Sequence, residues 1–165
     1  MQGNLRSRIP YIVLVVLVLL SDRFSKSVIV SRFDLGQPVS VIDGLFNITY
    51  VQNTGVAFGM FSSLSSPIKV LLLCLVAAIA SVAVIVYSLR NDPGNKLLQG
   101  SLALVLAGAL GNLYDRTLYG YVIDFLEVHA RGYYWPSFNI ADTSISIGVM
   151  LLAWEMFRHE TPGRA

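Results

Sequence analysis

The sequence predicts an all-α membrane protein: four transmembrane helices, with a small β-sheet and a short interfacial helix gathered on one side. Three observations lead there. Only 13% of residues are charged and 55% are hydrophobic, with a mean hydropathy of +0.63; a soluble domain carries roughly 25% charged residues. Four apolar runs approach the roughly 20 residues that a spanning helix needs. The two longest connections between them carry β-prone and aromatic residues. The charge deficit is global, so residues 1–165 are expected to form one integral membrane domain.

The first run covers about residues 9–30 and holds Asp22, Arg23 and Lys26 in its second half. Asp22 and Lys26 stand at i, i+4, the spacing of an ion pair on one helix face. The run also resembles a cleavable signal peptide, with Arg6 and Arg8 as its positive leader. No small-x-small cleavage site follows, so a retained helix is expected. The second run, about residues 68–89, contains the single cysteine, Cys74. There it reads as a small hydrophobe.

The third run covers about residues 97–114. Gly100, Ala103, Ala107, Gly108 and Gly111 recur at spacings of mainly three and four, a stripe that lets another helix approach closely. Asn112 and Asp115 follow at i, i+3 and share a face. Asp115 is followed by Arg116, a neighbour pair that reads either as a structural ion pair or as chemistry. The fourth run covers about residues 140–157. Pro136 precedes it, Asn139 is placed to cap it, and Asp142 would be its third residue. A carboxylate there gains from the helix dipole and the free N–H groups.

Four spans put both termini on one side. Arg6, Arg8, Arg90, Lys96, Arg158 and Arg164 crowd that side, whereas Arg23, Lys26, Arg32, Lys69, Arg116 and Arg131 spread over longer stretches of the other. Basic density favours cytoplasmic termini. The outer side then carries two connections. In residues 33–67, Asp43-Gly44 lies between β-prone runs, which is a hairpin signal. Residues 117–137 hold Tyr133, Tyr134 and Trp135, which suit the headgroup level. Residues 121–130 are expected to form a short interfacial helix, and the connection as a whole a lid.

Asp124 lies in that connection between Val122, Ile123, Phe125 and Leu126. Apolar company raises a carboxyl pKa by disfavouring its charge. Acids at a bilayer edge are functional-site candidates. Two close carboxylates do not readily both ionise, so one serves as base and the other as acid. Spacing alone leaves open whether Asp124 or Asp115 partners Asp142. Other chemistries find less support. There is no Gly-x-Ser-x-Gly elbow or phosphate-binding loop. His129 and His159 lack ligand spacing, so no metal is expected. A net charge of +2 without a basic, aromatic stripe does not suggest nucleic acid. A proton-linked transporter is the main rival, but such sites lie near the midplane between inverted repeats, and no repeat is evident. A structural membrane subunit would leave the two long outer connections unexplained.

Five stretches recur together: Asp22-x-x-x-Lys26, Asn53-Thr54-Gly55-Val56-Ala57-Phe58, Gly111-Asn112-x-x-Asp115-Arg116, Val122-x-Asp124-Phe125 and Phe138-Asn139-x-Ala141-Asp142. In this order, over nearly the whole chain, they resemble bacterial lipoprotein signal peptidase (signal peptidase II), an aspartyl endopeptidase of the inner membrane. Ser25 and Thr143 stand where relatives often carry Thr and Ser, changes that keep the hydroxyl. The resemblance implies removal of the signal peptide from diacylglyceryl-modified prolipoproteins, by a cut before the lipidated cysteine. It implies Asp124 and Asp142 as the catalytic pair. It implies Asn53, Gly55, Asn112, Arg116 and Asn139 in the substrate pocket, and Asp115 in support. Asp22 and Lys26 read as further structural support. The family implies no metal or organic cofactor, sensitivity to the cyclic peptide globomycin, and an active site near the periplasmic face. Membrane lipid is an expected partner, and nothing demands more than a monomer.

Overall fold

The computed structural model describes residues 5–55, 66–130 and 132–159. Val56, Ala57 and Phe58 of the second motif, and Arg131 and Arg164, lie outside the described residues. After a single 3-10 turn at Leu5–Arg8, four long helices and four strands follow in the order α1 (Ile9–Arg32), β1 (Val39–Ile42), β2 (Phe46–Asn53), α2 (Ser66–Arg90), α3 (Lys96–Tyr119), β3 (Val122–Ala130), β4 (Tyr133–Tyr134) and α4 (Ile140–His159).

Three helices are long and apolar enough to cross a membrane: Pro67–Arg90, Lys96–Tyr119 and Ile140–Arg158. Helix α1 is as long, but every 18-residue stretch of it contains Asp22, Arg23 and Lys26. Asp22 and Lys26 do not face out. Asp22, Lys26 and Ile29 form its buried stripe, which is how ionisable residues are accommodated in a bundle. Helix α2 is the reverse: Leu71, Val76, Ile79 and Val82 are all about 60% exposed or more, a surface suited to hydrocarbon.

Helix α3 is the spine and packs against α1, α2 and α4. Its small-residue stripe allows this. A Cβ on Gly108 would collide with the carbonyl of Ala141 and come within 2.6 Å of Ser144 Oγ and Ile145 Cγ1. Asn95 caps α3 by accepting the Leu98 N–H at 3.1 Å, and Gly120, at φ 78°, ends it. The helix runs to Tyr119, five residues beyond its apolar segment, and Asn112 and Asp115 in its last turns find their partners inside the protein. At the far end of the bundle, buried Arg8 donates to the carbonyls of Ser88, Leu89 and Asn91 at 2.9–3.3 Å, satisfying the free C-terminal carbonyls of α2.

The sheet is antiparallel in the order β1-β2-β3-β4. Residues 43–45 make the expected hairpin turn, with Gly44 at φ 73° and Leu45 N–H bonded to Ile42 O. The expected interfacial helix over residues 121–130 is not formed. Val122–Ala130 is instead strand β3, paired with β2 from Asn53↔Val122 to Phe46↔Val128. Local sequence allowed a helix, but the free edge of β2 offers a full ladder, and β-branched and aromatic residues suit a half-buried strand. The described part of the connection supplies the end of α3, a central strand and a return leg bonded between Leu126 and Phe138. Ile29, Tyr50, Ile123 and Phe125 form a small core that joins this sheet to the end of α1.

The close approach at Gly108 is testable. Gly108→Val should lower stability by about 1–3 kcal/mol through overpacking. Gly100→Ala, where nothing lies within 4 Å of the new Cβ, should be neutral or stabilising by up to about 1 kcal/mol. Thermal unfolding in detergent would read both, and equal effects would contradict the packing described.

Candidate active site

The site forms where the C-terminal ends of α1 and α3, the start of β3 and the N-terminus of α4 meet. Its deepest group is Lys26, which has no exposed side-chain surface. The Lys26 ammonium lies 2.7 Å from Asp22 Oδ2, 2.8 Å from Asp115 Oδ2 and 3.5 Å from Asn112 Oδ1. Asp22 extends the network to α4, with Oδ1 accepting the Ala141 N–H at 3.0 Å. Asp115 extends it to the sheet, with Oδ2 accepting the Ile123 N–H at 3.3 Å. Gly111 leaves room for this approach: a Cβ there would stand 3.1 Å from Asp22 Oδ2.

Asp115 also pairs with Arg23 Nη1 at 2.7 Å. Its partners are thus Arg23 and Lys26 of α1, and Arg116 makes no ion pair with it among the described residues. The neighbour pairing considered from sequence fails because successive helical residues do not face each other. Arg23 was missed for its role here. The signal was its place beside Asp22 and three residues before Lys26, on the helix that neutralises Asp115.

Asn139 caps α4 as expected and Asp142 is the third helical residue. Asn139 Oδ1 accepts the Asp142 N–H at 2.9 Å, while Asp142 Oδ2 accepts the Asn139 N–H at 3.3 Å, a reciprocal capping arrangement. Asp142 Oδ1 accepts from Asn112 Nδ2 at 2.6 Å. Asp124 is 1% exposed. Its Oδ1 accepts from Asn139 Nδ2 at 2.7 Å and its Oδ2 from Asn53 Nδ2 at 2.9 Å. Asn53 Oδ1 in turn accepts the Gly55 N–H at 3.0 Å. Asn139 therefore touches both carboxylates, and Asn112 holds one of them. A cavity of about 360 Å³ opens beside Asp124, lined in part by Val51, Asn53, Gly55 and Pro136. Arg116 is half-buried, within electrostatic range of Asp142 and Asp124.

The four aspartates fall into two kinds. Asp22 and Asp115 carry ion pairs; among the described residues Asp124 and Asp142 carry none and are held by neutral amides and backbone N–H groups. Asp124 is pushed up to about 7, first by burial and then by the charge of Asp142, against the Asn53 and Asn139 hydrogen bonds and the charge of Lys26. Such a pair can hold one proton between two carboxyls near neutral pH. His129 lies near the far end of β3 and Cys74 on α2, and no cluster of three or more metal-ligating side chains occurs among the described residues.

Residues 14–158 match the family model described as signal peptidase (SPase) II. The chain is 44% identical over 152 residues to a lipoprotein signal peptidase of Syntrophus aciditrophicus, covering 92% of this chain and 94% of that one. It is 46% identical over 142 residues to that of Geobacter sulfurreducens, covering 86% and 88%. With the Pseudomonas aeruginosa protein it shares 40% over 159 residues, covering 96% and 94%. A bacterial membrane enzyme solved by the in meso method at 2.3 Å superposes with a TM-score of 0.84 at 32% identity, covering 94% and 93% of the chains. A second, at 1.9 Å, gives 0.80 at 34% identity, covering 89% and 92%.

Two outcomes follow. Lys26→Met should destabilise by about 3–5 kcal/mol, because it leaves two buried carboxylates short of a cation; a loss below 1 kcal/mol in thermal unfolding would contradict the network. For Asp124, the folded value of about 7 lies above the unfolded 3.8. Between them the folded state holds a proton that the unfolded state lacks. Its contribution to stability is therefore full below about pH 4 and is lost as pH rises to about 7. Measured from pH 4 to 8, wild type should lose stability relative to Asp124→Asn; parallel curves would refute the shift.

Proposed function

Because the chain belongs to the signal peptidase II family, we propose that Asp124 and Asp142 form its catalytic pair, hydrolysing the peptide bond before a diacylglyceryl-modified cysteine. Family membership makes it a membrane peptidase that removes signal peptides from prolipoproteins. The aspartic chemistry is inferred from the site. The observation that carries it is the division among the four aspartates. Asp22 and Asp115 are neutralised by cations. Asp124 and Asp142 meet neutral donors and share Asn139.

In this reading the ionised carboxylate takes a proton from water as the water oxygen attacks the scissile carbonyl carbon. The protonated carboxyl supplies a proton to the carbonyl oxygen. A proton then passes to the amide nitrogen, the C–N bond breaks and the new amine leaves. Asp124, pushed up to about 7, is the natural holder of the shared proton. Asp142, at the N-terminus of α4, lies where the helix dipole favours negative charge. Asn53, Gly55, Asn112, Arg116 and Asn139 are the proposed substrate-pocket residues. Asp115, Asp22 and Lys26 position the pair through the Ile123 and Ala141 N–H groups.

The same reading makes all four helices spans of the bacterial inner membrane, with cytoplasmic termini and the pair near the periplasmic face. That depth suits a substrate anchored by its own lipid. The enzyme acts as a monomer, needs no cofactor and is a target for globomycin.

The test is release of the signal peptide from a lipidated prolipoprotein by the purified protein in lipid. Asp124→Asn and Asp142→Asn should each reduce release by about 10²–10⁴-fold or more, the usual range for acid–base groups, while membrane insertion and unfolding temperature persist. An active wild type with both variants unimpaired, or Asp115→Asn as the sole inactive one, would overturn the assignment.

A further inference from the structure

We propose that a cleft on the α1 side of the protein binds the phosphate head of a membrane glycerophospholipid, apart from the Asp124–Asp142 site. The cleft has a volume of about 480 Å³. Its polar lining includes Arg23, Ser27 and Ser31 of α1, Tyr50 of β2, Tyr114 and Tyr119 of α3, and Tyr121 before β3. No carboxylate is among its lining residues. Lys26 also reaches its wall, but that ammonium is committed to Asp22 and Asp115.

Arg23 is only partly committed. Nη1 holds Asp115, and Cζ sits 4.6 Å from the centre of the Tyr114 ring. Nε is buried without a hydrogen-bond partner. A buried donor on a cation without an acceptor is costly, and such a group calls for a water, an ion or a ligand. Guanidinium donors match phosphate oxygens, and tyrosine hydroxyls add further donors around the same space.

The lipid, rather than a free phosphate, follows from what lies along the helix below. Leu17, Leu20, Phe24 and Ser27 stand three or four residues apart, so they form one stripe on α1. Leu17, Leu20 and Phe24 are 56%, 61% and 74% exposed. The stripe is apolar up to Phe24 and turns to serine at the cleft. An acyl chain lying along the first part places its phosphate beside Arg23, with tyrosines at headgroup level. The inference rests on the membrane reading of the bundle and not on the peptidase chemistry.

Native mass spectrometry of the delipidated protein in detergent tests it, with phosphatidylglycerol, diacylglycerol of the same chains and inorganic phosphate added separately. One phosphatidylglycerol should be retained, and neither of the other probes. Arg23→Gln, and Ser27→Phe, which blocks the mouth without touching Asp115, should each weaken retention about tenfold, the scale of a charge-assisted hydrogen bond. Asp124→Asn should keep its lipid. Equal retention by Ser27→Phe and wild type, equal retention of diacylglycerol, binding of inorganic phosphate in place of lipid, or loss of lipid in Asp124→Asn would each overturn the proposal. Signal-peptide release measured on the same samples reports on the peptidase reading separately.

Discussion

The fully buried ammonium of Lys26 is the contact on which the rest of the site depends. It sits between Asp22 of its own helix and Asp115 of α3. Each of those carboxylates also holds the backbone of another element: Asp22 accepts the Ala141 N–H at the start of α4 on its other oxygen, and Asp115 accepts the Ile123 N–H of β3 on the oxygen that meets Lys26. Asp142 lies one residue beyond Ala141, and Asp124 one residue beyond Ile123. A single cation on α1 thereby sets the position of both proposed catalytic carboxylates without touching either. Burying one charge and removing its partner is far more costly than burying the pair, so the arrangement holds together as a unit or not at all.

That arrangement also sorts the acids by their partners. Four carboxylates lie close together at one end of the bundle, where the dielectric is low and mutual repulsion is strong. Arg23 and Lys26 neutralise two of them. Asparagines hold the other two, and an amide can orient a carboxylate without fixing its charge. Burial and repulsion then raise Asp124 towards neutrality. The pair's capacity to share a proton is thus a property of where the cations are placed, as much as of the aspartates themselves.

The scaffold around the site is stiff for identifiable reasons. Helix α3 touches each of the other three helices, and its glycines let α4 lie against it at backbone distance. At the opposite end, Arg8 and Gln99 tie the starts of α1 and α3 to the end of α2. The sheet is anchored to α1 through Ile29, Tyr50, Ile123 and Phe125. Asp124 therefore sits on a strand paired along its length rather than on a mobile flap.

Much was legible in the chain. Hydropathy marked the four helices, three of which are long and apolar enough to cross a membrane. Asp43-Gly44 marked the hairpin, because a positive φ favours glycine there. Asn139 and Asp142 marked the start of α4, because capping is local. The motif pattern named Asp124 and Asp142, the proposed pair, though spacing alone left Asp115 as a rival. Three things were decided only in three dimensions. Residues 122–130 became a strand because β2 presented an edge to pair with. Asp115 took its cations from α1 rather than from adjacent Arg116, since neighbouring helical side chains diverge. Arg23 acquired a role that nothing around it in sequence required. Caps, turns and spans depend on residues within a turn or two of each other. Charge pairing and strand pairing depend on partners that only folding brings together, such as Asp115 with Arg23 and Lys26 or β3 with β2.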